Sequence, residues 1–371
     1  MAKRQNKKFV TGYPKPKPMD DIHYNFRRID STNKQWRLIV SAREAGKTTA
    51  MVIKKIWAKF REGGTTLLVR RQVADITEAY IMSLQFILNK FVDDEIELTF
   101  NKAELRTGFV LVYCNGDLIM GILGLSTKAA RVKSLVLPRI KQLAFDEYII
   151  NPKWGEKYLV NEADKLKEVY KTFNREYLDN GEKGVMPCYI MGNPYSRFNP
   201  LVEDWGVDYN KLYPGSFVVG DNYVIENYLL SDELVEQLKQ TNPDLQKDVG
   251  YTDYALKGIA INDRNIPLGK IKNGMVLKYV VQFDTAQVGI YKDLNADFNS
   301  NVRYYAGKIK YDNLNRNVYC FNFNDLSNGS ILYSRTDNNE FMNIAVAMRR
   351  NQIIYDDIGT YYKLVDMYSY L

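Results

Sequence analysis

The sequence predicts an α/β protein with a mainly parallel sheet, followed by a second, α+β domain. Three observations support this fold class. Between residues 20 and 221, short apolar segments alternate with stretches of helical periodicity, as in parallel sheets whose strands are joined by helices. A glycine-containing loop at 41–48 separates a predicted strand from a predicted helix. After about residue 255 the pattern changes to short alternating strands rich in Asn and Tyr.

The elements of the first domain follow from apolar runs bounded by polar or turn residues. The residues Asn115-Gly116-Asp117 predict a hairpin turn, because Asn-Gly favours the positive φ angles that such turns need. In chain order, the predicted strands are 36–40, 65–69, 109–114, 118–120, 141–145 and 186–191. The predicted helices are 47–60, 74–91 and 162–178, the last one charged and amphipathic.

The domain boundaries are predicted from changes in composition. Residues 1–19 form a basic, proline-rich tail with no acidic residue, which is either a solvated segment or an arm that binds nucleic acid or a partner. Residues 20–221 are the first domain, and 222–255 are a helical linker with Ser231 as an N-cap. Residues 256–371 are the second domain. Its predicted strands are 275–281, 287–291, 303–305 and 317–321, and its helices are 340–350 and 361–370.

Composition excludes several classes of function. The chain has 371 residues, of which 46% are hydrophobic and 26% charged, so it can bury a sizeable core. Three well-separated cysteines and a single histidine, His23, argue against a disulfide framework, a zinc cluster or histidine catalysis. The net charge of +7 is compatible with a polyanionic partner. No apolar run could span a membrane and no secretory signal is recognisable, so we expect no membrane partner and a location in the cytoplasm of the cell that makes the protein.

The loop at 41–48 predicts a nucleotide site. In the pattern G-x-x-x-x-G-K-[ST], main-chain N–H groups and the positive end of the following helix hold the phosphates. Lys47 is then expected to reach the β- and γ-phosphates, and the Thr48 hydroxyl to ligate Mg²⁺. The first glycine of the pattern is Ser41 in this chain. The predicted nucleotide-binding residues are Ser41, Ala42, Arg43, Glu44, Ala45, Gly46, Lys47, Thr48 and Thr49.

An acidic pair supplies the second half of the predicted site. Asp146 and Glu147 directly follow the apolar strand 141–145, as in a Walker-B motif. Asp146 is expected to hold Mg²⁺ through water, and Glu147 to orient and deprotonate the attacking water. The pair therefore predicts ATP hydrolysis with ATP and Mg²⁺ as cofactors. Asn193 ends the next strand, where it either senses the γ-phosphate or serves the turn.

These motifs resemble those of viral genome-packaging ATPases, and most closely the encapsidation proteins of small tailed phages of the φ29 type. The resemblance rests on the Ser-Ala-Arg start of the loop, Arg70-Arg71 after the next strand, Ala-Phe-Asp146-Glu147-Tyr, Phe-Asn-Arg175-Glu and Gly-Asn193-Pro. It covers residues 30–205 well, and the remainder only in order and size.

The resemblance implies an additional-strand, conserved-glutamate (ASCE) ATPase joined by a linker to an RNase H-like domain that has lost nuclease activity. It also implies a ring of five copies at the portal vertex of an empty procapsid, which drives double-stranded DNA inward with ATP. A structural RNA is a further partner that the sequence leaves open. In this family Arg175 corresponds to a trans-acting arginine finger, and Lys128 to a second trans-acting base. A solvated helix arginine is the alternative for Arg175.

A translocating motor must contact backbone phosphates of any sequence, and Lys153 and Lys157 in the loop after the Walker-B strand are candidates. A solvated basic loop is the alternative. The spacing of the C-terminal acids does not identify the convergent carboxylates that a two-metal nuclease needs. These acids are Asp284, Asp293, Asp297, Asp325, Asp356 and Asp357. Two other functions remain open: a helicase-like or other P-loop DNA translocase, and a non-enzymatic portal or nucleic-acid adaptor.

Overall fold

The computed structural model describes residues 12–151, 154–242, 252, 255–260, 263, 265–283, 286–309, 318–321, 330–333 and 339–368. The chain divides into two compact units, Met1–Ile261 and Asn262–Leu371, called here the N-terminal unit and the C-terminal unit. The second domain was predicted to start at residue 256, a few residues before this division.

The N-terminal unit is built on a nine-stranded sheet in the order β3-β4-β5-β2-β6-β7-β1-β9-β8. Neighbouring strands from β5 to β9 in this order are parallel, whereas the β3-β4-β5 edge and the β8-β9 edge are antiparallel. The prediction of an α/β fold with a mainly parallel sheet is therefore confirmed. The strands are β1 (Trp36–Ser41), β2 (Thr65–Arg70), β3 (Leu98–Phe100), β4 (Phe109–Cys114), β5 (Asp117–Gly124), β6 (Ile140–Phe145), β7 (Cys188–Gly192), β8 (Phe217–Val219) and β9 (Tyr223–Tyr228).

The described residues of the N-terminal unit contain four longer helices. The loop helix begins at Lys47 and runs unbroken through the segments Lys47–Ala50, Met51–Trp57 and Ala58–Arg61, the middle one a π-helix. The others are α1 (Glu78–Phe91), α2 (Glu162–Asp179) and α3 (Asp232–Thr241). The predicted N-cap of α3 is present, since the Ser231 hydroxyl accepts a hydrogen bond from the N–H of Leu234 at 3.3 Å.

The sheet lies between two hydrophobic cores because successive side chains of a strand point to opposite faces. Leu67 and Val69 of β2 belong to the core that also contains residues of α2, such as Leu166, Val169 and Phe173. Leu68 belongs to the other core, with Ile53 and Trp57 of the loop helix and Ile81 and Leu84 of α1. A central strand buried on both faces needs consecutive apolar residues, and Leu67, Leu68 and Val69 supply them at the centre of β2.

Two predicted boundaries need correction. Residues 222–255 were predicted to be a linker, but β9 (Tyr223–Tyr228) is paired with β1 along its length, so this part belongs to the sheet. Its polar residue Glu226 is buried, and the Tyr24 hydroxyl donates a hydrogen bond to its carboxylate at 2.8 Å. That partner lies 202 positions away in the chain, where no local pattern can indicate it.

Residues 1–19 were predicted to be a tail outside the core, but residues 12–19 pack on the N-terminal unit. The Tyr13 ring contacts the rings of Trp57 and Phe60 at centroid distances of 5.6 and 4.8 Å. Carbonyls of an extended proline-rich segment have no internal partner. Here Trp57 Nε1 donates to the Pro14 carbonyl at 3.2 Å and Arg61 Nε to the Tyr13 carbonyl at 2.9 Å.

The C-terminal unit contains a six-stranded sheet in the order β14-β13-β10-β11-β12-β15. The strands β10, β11 and β12 are antiparallel neighbours, whereas β13, β14 and β15 join by parallel pairing. No helix among the described residues of either unit is long and apolar enough to cross a membrane. The elements are β10 (Met275–Phe283), β11 (Ala286–Asp293), β12 (Tyr304–Gly307), β13 (Val318–Cys320), β14 (Ser330–Leu332), α4 (Asn339–Arg349), β15 (Ile353–Tyr355) and α5 (Ile358–Tyr368).

Candidate functional site

The carboxyl ends of three adjacent parallel strands meet at one edge of the large sheet. β7 lies between β6 and β1, which is the additional strand that the resemblance implied. Open α/β sheets bind ligands at the carboxyl ends of their strands. β1 leads into Ser41 and the loop, β6 into Asp146 and Glu147, and β7 into Asn193. The predicted site residues are therefore brought together by strand order rather than by closeness in sequence.

The Lys47 ammonium occupies the centre of this edge. It donates to the Ser41 carbonyl at 3.0 Å, the Ser41 hydroxyl at 2.8 Å and the Ala42 carbonyl at 3.1 Å. It also donates to Asn193 Oδ1 at 3.2 Å, which joins the ends of β1 and β7. The substitution of the first motif glycine thus has a structural account, because the Ser41 hydroxyl is a partner of the ammonium.

The start of the helix depends on a glycine. Gly46 has φ 75°, in the left-handed region, and precedes Lys47 as the N-cap of the loop helix. A side chain there would be strained in conformation and would also meet the His23 ring, 3.0 Å from its Cβ position. Burial lowers the pKa of Lys47 to about 8, although the nearby carboxylates of Asp146 and Glu44 oppose the shift.

Thr48 and Asp146 form the predicted metal site. The Thr48 hydroxyl donates to Asp146 Oδ2 at 3.0 Å, so both oxygens lie at the same point of the edge. Burial and the charge of Glu147 raise the pKa of Asp146, whereas Arg70, Thr48 and Lys47 lower it. A hydroxyl and a buried carboxylate are the hard oxygen donors that Mg²⁺ uses beside nucleotide phosphates. The residues present therefore fit a Mg²⁺ ion.

The predicted catalytic glutamate has an unusual main chain and an ion partner. Glu147 has φ 58°, which is uncommon for any residue other than glycine. Its carboxylate accepts a hydrogen bond from Arg70 Nη2 at 2.6 Å, and the Arg70 guanidinium stacks over the Tyr80 ring at 4.5 Å. Arg70 Nε and the Tyr80 hydroxyl are buried with no hydrogen-bond partner among the described residues. No local sequence pattern links Arg70 to Glu147, because the two are 77 positions apart.

A cavity of ≈ 470 Å³ is lined by residues of the loop, by Asp146 and Glu147, and by Asn193. This is within the usual range for small-molecule sites and large enough for a nucleoside triphosphate. One wall of the cavity is formed by the segment 12–24, called here the N-terminal strap, and by the end of α1. This wall was not predicted from the sequence. The lining residues are Met19, Asp20, His23, Arg43, Glu44, Gly46, Lys47, Thr48, Thr49, Lys90, Phe91, Asp146, Glu147, Gly192 and Asn193.

Three other predicted site residues are exposed and do not line the cavity. Lys128 precedes the short helix Ala129–Val132, Arg175 lies in the last turns of α2, and Lys157 lies in the segment between β6 and α2. Among the described residues, Lys128 and Arg175 have no ion pair. Lys153 lies outside the described residues, as do Asp284 and Asp325.

The strand order, the loop and the acidic pair define the class of this protein as a P-loop ATPase. Residues 19–365 match the family of the Podovirus DNA encapsidation protein (Gp16), and the chain belongs to this family. The resemblance stated from the sequence is therefore confirmed.

Similar proteins from phages agree with this assignment. The chain is 24% identical over 320 residues to the DNA packaging protein of Bacillus phage PZA, covering 86% of this chain and 88% of that protein. The same values hold for the DNA packaging protein of Bacillus phage phi29. Among solved structures, the bacteriophage Phi-29 genome packaging motor assembly matches with a TM-score of 0.62 and 18% identity. That match covers 94% of this chain and 98% of the other chain, and at this identity it shows the fold alone.

Proposed function

We propose that this protein is the ATP-hydrolysing subunit of a viral motor that packages double-stranded DNA into an empty procapsid. The observation that carries the proposal is the arrangement of Lys47, Thr48, Asp146 and Glu147 around one cavity, in a chain of the encapsidation family. Family membership favours packaging over a helicase-like ATPase or other DNA translocase. A non-enzymatic adaptor would need neither the buried lysine nor the acidic pair.

Each residue has a separate task in this proposal. Lys47 moves from its loop carbonyls to the β- and γ-phosphates, which replace the oxygens that it contacts now. Asn193, already bonded to Lys47, is placed to contact the γ-phosphate side of the nucleotide. Thr48 and Asp146 would hold Mg²⁺, which neutralises charge on the phosphate oxygens. Glu147 would accept a proton from the attacking water once its carboxylate leaves Arg70.

The remaining partners are proposed from the family. Copies of the chain would form a ring of five at the portal vertex, in the host cytoplasm. Arg175 and Lys128 would serve a neighbour's nucleotide, and their exposure outside the cavity supports a role between copies. Lys157 and Lys153 would contact DNA phosphates. A structural RNA of the motor would be a further partner.

The C-terminal unit is proposed to be an RNase H-like domain without nuclease activity. The order of its strands supports the fold: an antiparallel set of three, β10 to β12, is extended past β10 by the parallel strands β13 and β14. Asp356 Oδ2 accepts a hydrogen bond from the N–H of Lys308 at 2.8 Å. Residues 229–261, which include α3, would connect this unit to the ATPase sheet.

The proposed function is tested first by ATP turnover. Lys47→Ala and Glu147→Gln should both leave a folded protein with no measurable hydrolysis. Lys59→Ala is the control, because Lys59 lies on the same loop helix but pairs with the exposed Glu62 at 2.8 Å. Unchanged turnover in both site variants would refute the assignment. The second measurement is ATP-dependent DNA packaging into purified empty procapsids, which separates a packaging motor from any other ATPase.

A further inference from the structure

A buried ion pair lies directly behind the proposed site and has no task in the mechanism above. It joins Arg71, the residue after β2, to Glu162, the first residue of α2. Arg71 Nε lies 3.0 Å from Glu162 Oε2, and Arg71 Nη2 lies 3.1 Å from Glu162 Oε1. Only 9% of Arg71 and 1% of Glu162 is exposed. A buried pair with two-point geometry is costly to desolvate, so it calls for an explanation beyond stability.

The remaining donors of this guanidinium reach the main chain of the catalytic glutamate. Arg71 Nη1 donates to the Glu147 carbonyl at 3.3 Å, and Nη2 also donates to the Tyr148 carbonyl. Arg71 therefore holds the two peptide groups that follow the Glu147 and Tyr148 Cα atoms. The first of these groups takes its direction directly from the backbone angles at Glu147.

The main chain needs such support at this position. Glu147 has φ 58°, and a residue with a side chain keeps this strained conformation only where its surroundings impose it. The N–H of Glu147 is bonded to Asp146 Oδ1 at 3.0 Å, so a contact fixes the preceding side as well. Between these contacts the Glu147 Cα is held in the orientation that turns its side chain toward the cavity.

The other end of the pair is equally constrained. Glu162 Oε2 also accepts a hydrogen bond from the Leu159 N–H at 2.7 Å. The carboxylate thus anchors Arg71 from the first turn of α2, an 18-residue helix packed on the sheet. Helix α2 gives this contact a rigid base, which a loop residue would not provide.

We propose that Arg71 and Glu162 are positioning residues for ATP hydrolysis, which hold the main chain of Glu147 in its left-handed conformation and so aim the catalytic carboxylate. The proposal rests on the proposed function, since it assumes that Glu147 accepts the proton of the attacking water. An arginine is needed at residue 71, because one planar group must serve a carboxylate and two carbonyls at once. A lysine offers a single charged point and cannot reproduce this geometry.

The test compares Arg71→Lys and Glu162→Gln with a control, Lys167→Gln. Lys167 also forms an ion pair from α2, with Asp204 at 2.5 Å, but it has no contact with Glu147. We expect kcat at saturating ATP to fall about 10- to 100-fold in Arg71→Lys, since small misplacement of a catalytic group has effects of this size. The Kd for a fluorescent ADP should stay within about twofold, because Lys47 and the loop are untouched. The fall in kcat should be smaller in Glu162→Gln, and the control should have the kcat and Kd of the wild type.

A double-mutant cycle separates positioning from a general structural role. The second variant of the cycle is Glu147→Asp, which keeps a carboxylate and a measurable turnover but shortens the side chain. If Arg71 acts through Glu147, Arg71→Lys should have little further effect on the turnover of Glu147→Asp. Three results would each overturn the proposal. They are additive losses of turnover in the double variant, an unchanged kcat in folded Arg71→Lys, and a weakening of ADP binding as large as the loss of kcat. Should Arg71→Lys fail to fold, Glu162→Gln decides by the same criteria. Wild-type turnover that survives Lys47→Ala would instead refute the proposed function.

Discussion

At the scale of single residues, the buried ammonium of Lys47 makes nucleotide binding depend on pH. Burial lowers the pKa of this group to about 8, so the free protein loses the proton as the pH rises through that value. Bound phosphates favour the charged form, and ATP binding above pH 8 should therefore take up a proton. We expect the Kd for ATP to rise about fivefold between pH 8 and 9, since the charged fraction of Lys47 falls from about a half to about a tenth.

Calorimetry in two buffers of different ionisation enthalpy measures that proton uptake directly. Lys47→Met is the control, since it should bind weakly with little dependence on pH in this range. An ATP affinity that stays constant from pH 7 to 9.5 in the wild-type protein would contradict the prediction.

Arg70 should influence the metal site through Asp146. Burial and Glu147 raise the pKa of Asp146, and the positive charge of Arg70 opposes them. Removing that charge in Arg70→Met should raise the pKa further, so that protons compete better with Mg²⁺. The Mg²⁺ concentration for half-maximal turnover should then increase several-fold more at pH 6 than at pH 8. Arg106→Met, at an exposed arginine outside the cavity, should leave the Mg²⁺ dependence unchanged. A pH-independent effect of Arg70→Met would show that Arg70 does not act on Asp146.

At the scale of elements, the N-terminal strap forms part of the nucleotide cavity. Its His23 packs against Gly46, and the Tyr24 N–H donates to the Ala45 carbonyl at 2.9 Å. Farther back, the Lys17 N–H donates to the Phe91 carbonyl at 2.7 Å, at the end of α1. The strap thus joins the loop to the end of α1 along one wall of the cavity.

His23→Ala should therefore weaken ATP more than inorganic triphosphate. If the loop binds the phosphates as proposed, the base would be left to contact the strap, and stacking a base on a ring contributes about 1–3 kcal/mol. We expect about a tenfold increase in the Kd for ATP and little change for triphosphate, both measured by competition with a fluorescent nucleotide. Equal losses for the two ligands would indicate that His23 supports the loop instead.

The same elements explain how far the sequence could predict the fold. Strands β1, β2 and β6 were predicted because burial on both faces leaves a local apolar pattern. The strand β9 was missed because Glu226 is polar, and its partner Tyr24 is distant in sequence. The strap was missed because Pro-Lys repeats resemble a solvated tail, and the contacts of Tyr13 with Trp57 and Phe60 join residues that are distant in sequence.

The candidate site likewise has residues that the sequence predicts and residues whose tasks only the tertiary structure shows. Lys47, Thr48 and Asp146 come from short motifs at strand ends, and the strand order brings them together. Arg70 and Arg71 were noticed only as part of a resemblance. Their partners Glu147 and Glu162 are 77 and 91 positions away, so their tasks depend on tertiary structure.

At the scale of the whole molecule, Arg175 raises the question of whether one copy completes the site of another. Arg175 is exposed, lies outside the cavity and has no ion pair among the described residues. Such a residue can act on a nucleotide only from a neighbouring copy, in a head-to-tail arrangement that closes into a ring. Arg175→Ala should then lower turnover strongly on assembled procapsids while leaving nucleotide binding intact.

Mixing two inactive variants tests this directly. An Arg175→Ala copy keeps its own Glu147, and a Glu147→Gln neighbour can supply the missing arginine. Random mixing at equal amounts makes about a quarter of the directed interfaces competent, so ATP turnover should be highest near a 1:1 ratio. As a positive control, mixing Arg175→Ala with Lys47→Ala should restore turnover in the same way, because Lys47→Ala also damages only its own site. As a negative control, mixing Arg175→Ala with the double variant Arg175→Ala/Glu147→Gln should restore none, because neither copy has Arg175. The absence of rescue at every ratio would place Arg175 within its own copy, because a cis residue cannot be supplied by a neighbour.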